Sequence, residues 1–252
     1  MDAITFVSAV LALTSAAATA FLGYWTQRRL RTMEKRSLME TYGGSLAWAA
    51  YDLQARLFNI LRGHTVDLDP NRGSGYLTSF LTNGTAGEAE FARRSTVFVL
   101  AEYLGWVEIM RRDVQFLNLG TSRTNHSIMS KISEVSSALN NISQGSNALR
   151  LFRVEQRAIG EMMIHPDGGP GQRRCLGFAE FSSRLDTDDQ FLDWFRRLLS
   201  DVDLLAANTG AAVSRLAEVQ QNLISLIDLL DPRSERFPHS RMAFVADHPN
   251  SS

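Results

Sequence analysis

VFVLAEYLGWVEIM, residues 97–110, is apolar on every side of a helical wheel apart from Glu102 and Glu108. A helix without a polar face belongs at the centre of a domain, because none of its sides is left for water. The two glutamates exclude it as a membrane span. The helical pattern around it extends from about Glu88 to Leu119, where Gly120 stops it.

Working outward, the neighbouring segments repeat apolar residues with helical spacing. Leu46, Ala50, Leu53, Leu57 and Leu61 mark one helix, ended by Gly63. It either continues the N-terminal segment through residues 26–45 or breaks at Gly43-Gly44. Loops follow at 63–75 and 82–87, around a short apolar piece, Tyr76–Leu81. Ile128, Ile132, Val135, Leu139 and Ile142 form a 4-3-4-3 stripe on a helix ending near Gly145. Two heptads are too short for a free coiled coil, so this stripe packs on the domain's own core. Residues 147–164 make a further helix, and HPDGGPGQRR, residues 165–174, is a flexible loop. Phe191, Phe195, Leu198, Val202 and Leu205 line a helix started by Thr187-Asp188-Asp189. Val213, Leu216, Leu223, Ile227 and Leu230 line the last one, closed by Asp231-Pro232. No run alternates like a strand. The fold class is all-α, a helical bundle over 45–232 with an irregular tail at 233–252.

At the other end of the chain, residues 3–25 carry no charge. As a helix they would reach about 35 Å, enough to span a hydrocarbon core of about 30 Å. Tyr24 and Trp25 close the stretch, where amphipathic rings favour the interface. Arg28, Arg29, Arg31, Lys35 and Arg36 follow in a basic linker helix, 26–44. Positive residues stay on the cytoplasmic side, which predicts an inner-membrane protein with its N-terminus outside and its large domain in the cytoplasm. A cleavable signal peptide would have sites near Ala16–Ala20, but MDAIT has no basic residue and the apolar run is too long. Ser8, Ala12, Ala16 and Ala20 form a ladder of small residues through which two such helices could dimerise. The expected partners are thus the bilayer and a second copy.

The whole chain of 252 residues has a formal net charge of −1. From Ser37 onward, 21 basic and 25 acidic residues leave the domain slightly acidic, which argues against nucleic acid as a partner. Cys175 is the single cysteine, so no internal disulfide can form. Arginine outnumbers lysine 24 to 2, a bias associated with GC-rich bacterial coding.

Familiar chemical signatures fail on inspection. Asp67–Thr78 has alternating oxygens like a calcium loop, but Arg72 stands where glycine is needed and Thr78 where glutamate is needed. Glycines 168, 169 and 171 lie near Arg173 and Arg174, without the Lys-Ser/Thr of a phosphate loop. His64, His126, His165, His239 and His248 are scattered, and Glu161 with His165 has no second copy to complete a di-iron site. The sequence therefore predicts neither metal nor cofactor.

What remains is a polar cluster breaking the apolar pattern: Glu102, Glu108, Arg111, Arg112, Glu155 and Gln156. Glu108 lies one turn from Arg112 and close to Arg111, so these can pair. In LRLFRVEQRAIGEMMI, residues 149–164, Glu155 falls at the centre of the apolar arc with Gln156 at its edge. That position predicts burial and pairing with an arginine of the central helix, Arg93, Arg94, Arg111 or Arg112. The functional expectation is a membrane-tethered interaction or signalling-accessory module. The alternative is a membrane-proximal enzyme using the buried glutamates and arginines.

Overall fold

The computed structural model describes the backbone of residues 3–67, 75–116, 123–144 and 146–237, and the side chains of 14–27, 42–62, 75–113, 126–144 and 146–237. The described residues are helical throughout apart from connections and one isolated bridge, Ile164 to Cys175. The helices are α1 (Ala3–Asp67), α2 (Ala86–Phe116), α3 (Arg123–Asn140), α4 (Arg153–Met162), α5 (Phe178–Thr187), α6 (Asp189–Ala207) and α7 (Val213–Leu230). A π turn, Thr78–Thr82, precedes α2, and a 3-10 turn, Thr209–Ala212, precedes α7. The chain divides into two compact units, Met1–Thr41 and Tyr42–Ser252.

In the first unit the described backbone, from Ala3 onward, is helical and every described side chain, from 14 to 27, is exposed. The hydroxyls of Thr19 and Thr26 donate to the carbonyls of Ser15 and Leu22, at 2.8 and 2.7 Å. Among the described residues no helix is long and apolar enough to cross a membrane. The side chains of residues 3–13, nearly half of the charge-free stretch, lie outside the described ones, as do those of the basic residues 28–36.

The second unit is the bundle. α2 packs against α4, α5, α6 and the π turn, and α3 packs chiefly against α7. No described residue of α2 from 97 to 110 is exposed, as its all-round apolar surface requires. The predicted stripe of α6 is wholly buried, and Asp188 caps that helix by accepting the Phe191 N–H at 3.0 Å. Phe181, Phe191 and Phe195 form a ring cluster with centroids 4.7 to 5.6 Å apart. The α3 stripe buries Ile128, Ile132, Val135 and Leu139, but Ile142 lies past the helix end and is 68% exposed.

The structure decides, corrects or adds to the local reading at four places. α1 runs through Gly43, Gly44 and Gly63 without a break. A Cβ on Gly44 would come within 3.2 Å of the Arg236 guanidinium, so the small residue leaves room for the returning C-terminal segment. Packing there outweighs a helix penalty of about 1 kcal/mol per glycine. Tyr76–Leu81 is helical, ending in the π turn. α4 starts only at Arg153, because Leu149 adopts a left-handed φ of 52° that ends any helical run before it. Its N–H is held by the Asp201 carboxylate at 3.0 Å. α5 carries no signal noted in the sequence; its buried residues are only Phe181 and Leu185. The start of the tail is irregular, yet Phe237 is buried, its ring 4.7 Å from Trp48 and 4.8 Å from Tyr51. The calcium-like segment from Leu68 to Ser74, the side chain of His64, His239, His248 and the stop at Gly120 fall outside the described residues.

Candidate binding cavity between three helices

α2 and α4 cross at glycines. A Cβ on Gly160 would lie 2.6 Å from the Leu104 carbonyl oxygen and 2.9 Å from Glu108 Cβ. One on Gly105 would lie 2.6 Å from Cys175 Sγ and 2.9 Å from Met163 Cβ. Such closeness is open only to glycine. Beside this crossing, a cavity of about 220 Å³ opens between α2, α3 and α4. Leu104, Val107, Met110, Met129 and Ile132 supply apolar wall, and Arg111, Arg153 and Arg157 supply the cations.

Three of the six predicted residues, Glu108, Arg111 and Gln156, line the cavity, and Arg112 reaches Glu108 from behind. Glu108 is buried, and both its oxygens are engaged: Arg111 Nε and Nη2 donate at 2.7 and 2.6 Å, and Arg112 Nε at 2.7 Å. Burial opposes its charge, but the two guanidinium groups prevail and hold the carboxyl below its usual range. Arg112 continues to Glu161 at 2.7 Å, tying α2 to α4. Gln156 is buried and satisfied: its oxygen accepts from the Ser136 hydroxyl at 2.7 Å, and its amide donates to the Ser136 and Leu151 carbonyls.

Glu155 and Glu102 lie elsewhere. With α4 starting at Arg153, Glu155 is its third residue. It is half-buried, not central to the core, and accepts the Phe152 N–H at 3.0 Å as an N-terminal cap. It does pair with an arginine from another helix, but that is Arg197 of α6, at 2.7 Å, not one from α2. Its apolar neighbour Val154 is turned outward and is 77% exposed. Arg197 also reaches Asp201 at 3.1 Å, beside the buried Arg215, which donates to the carbonyls of Ala148 and Asn141 at 3.0 Å each.

Glu102 is partly buried near Asp52. Burial first, and the Asp52 carboxylate second, push its pKa up to about 7, against a pull from the Trp106 side chain. Raising the folded pKa above the ordinary 4.5 means that stability is full at low pH and declines as pH rises from there to about 7. Glu102→Gln removes that decline. The variant should match the wild type at pH 4 and exceed it at pH 8 by about 1–2 kcal/mol after solvent screening, read by urea denaturation at both pH values. Equal stability at pH 8 would show that Glu102 is freely solvated.

The sequence reading missed Tyr103, Arg153 and Arg157. Tyr103 lines the cavity, and its buried hydroxyl has no hydrogen-bond partner among the described residues. Arg153 donates only to the Ser137 hydroxyl, at 2.9 Å, and Arg157 has no carboxylate partner among the described residues. The glycine-rich loop is also more than a flexible connection. Gly171, at φ 84°, donates its N–H to Asp113 at 2.9 Å, and Arg173 pairs with the same carboxylate. Cys175 sits behind Gly105, and burial raises its thiol pKa, so it is a packing group. Among the described residues no cluster of three or more His, Cys, Asp or Glu could hold a metal ion. No family model, no curated protein and no solved structure matches the chain.

Proposed function

We propose that this protein is a membrane-tethered binding module whose helical bundle captures its ligand in the cavity between α2, α3 and α4. The observation that carries the binding reading is the makeup of that cavity: apolar walls, cations free to meet an anion, and a buried glutamate already neutralised by two arginines. A carboxylate held ionised in two ion pairs makes a poor general acid or base, which favours binding over catalysis. Glu102, among the described residues the one glutamate with a strongly raised pKa, does not line the cavity.

The tether rests on the charge-free run 3–25 and the basic residues that follow it. Two features of the described portion favour it. Phe21, Leu22, Tyr24 and Trp25 are 57 to 64% exposed, a large apolar surface for water to meet. The threonine hydroxyls are satisfied within the helix, as a hydrocarbon environment demands. The charge asymmetry orients the domain to the cytoplasm, at the inner surface of the cell membrane.

Full-length protein should stay with the membrane fraction through an alkaline carbonate wash, whereas a chain starting at Ser37 should be released. A reporter fused after Ser252 that works only in the cytoplasm should be active. Release of the full chain by the wash would remove the tether, and activity of a periplasm-only reporter would reverse the orientation.

A further inference from the structure

The cavity carries more information than its location. A dry apolar cavity of about 150 Å³ accommodates benzene. At about 220 Å³, this one has room for roughly ten non-hydrogen atoms. Its walls are apolar, so the body of a ligand must be too. Arg153 and Arg157, one turn apart on α4, and Arg111 on α2 line it with positive charge. Arg111 is already bound to Glu108, which leaves the two α4 guanidinium groups for a ligand's charge.

From these features we infer that the cavity binds a medium-chain, monoanionic carboxylate. The carboxylate meets Arg153 and Arg157, and the chain lies along Leu104, Val107 and Ile132. This rests on the binding-module reading and adds the ligand's class to it.

The test uses full-length protein in lipid nanodiscs, with methyl-labelled methionine, and empty nanodiscs as the blank. Met110 and Met129 line the cavity, so their signals report occupancy there. Octanoate should shift both saturably, with a Kd of about 0.1–1 mM for a ligand of this size. 1-Octanol, equally long and uncharged, should bind at least ten-fold more weakly. The double variant Arg153→Gln, Arg157→Gln should reduce octanoate to that level. Ser133→Trp, at the exposed edge of the cavity, should block both ligands without disturbing the core. Absence of saturable shifts, octanol matching octanoate, or shifts surviving Ser133→Trp would each overturn the inference. Failure here with the chain retained on membranes removes the ligand class alone; release by the carbonate wash removes the tether, and leaves these shifts measurable.

Discussion

Asp113→Ala should lower the free energy of unfolding by about 3–5 kcal/mol. The Asp113 carboxylate is buried near the end of α2, where three groups from two distant parts of the chain converge on it. The Tyr42 hydroxyl of α1 donates to it at 2.8 Å, the Gly171 N–H of the glycine-rich loop at 2.9 Å, and Arg173 completes the set. Removing the acceptor leaves a buried phenol, a backbone N–H and a guanidinium uncompensated at once. Each buried group then bears its desolvation cost. Tyr42→Phe removes only one of these bonds and should cost about 1 kcal/mol. Urea denaturation of the two variants checks the difference. Faster proteolysis within residues 165–174 of the alanine variant would show that the carboxylate pins that loop. A loss below about 1 kcal/mol for Asp113→Ala would mean that water replaces the carboxylate freely and the hub is not structural.

Gly160→Val should destabilise the bundle by about 3 kcal/mol, at the upper end of overpacking costs. A Cβ at that position would overlap the Leu104 carbonyl oxygen, which belongs to backbone and cannot rotate away. α4 must therefore retreat from α2 as a body. That movement lengthens the Arg112–Glu161 ion pair, now 2.7 Å, and opens one wall of the cavity. For a domain of this length, 3 kcal/mol corresponds to a fall in Tm of about 6–12 °C. The neighbouring glycine offers a contrast. Gly105→Ala meets the Cys175 side chain, so Cys175→Ala should rescue it in part, whereas no side-chain change should rescue Gly160→Val. An unchanged Tm for Gly160→Val would show that the two helices separate without cost.

The elements readable in advance were those in which local pattern and tertiary burial agree. The stripe on α6 is buried at all five positions, and its start at Asp188 is a side-chain cap encoded within three residues. Glu108 with Arg111 and Arg112 was equally legible, because all three lie within two turns of one helix. The register of α4 was not. A wheel drawn from residue 149 assumes helix where Leu149 is left-handed, and the shift moves Val154 outward and Glu155 to a cap. Gly43 and Gly44 left a break open as an alternative because glycine disfavours helix in isolation; the space needed by Arg236 is not written in their neighbourhood.

By itself, then, the sequence determined the helical class, the central helix, the faces of α3, α6 and α7, and a charge-free N-terminal run followed by basic residues. These follow from periodicity and charge over a few turns, which any chain folding these segments must respect. The tertiary structure alone decided that Glu155 faces Arg197, that Asp113 gathers α1 and a distant loop, and that Tyr103, Arg153 and Arg157 share one cavity. Those pairings join residues some forty to seventy positions apart, and their geometry depends on how closely two glycines let α2 and α4 approach. Distances of that kind are set by packing, which no local pattern encodes.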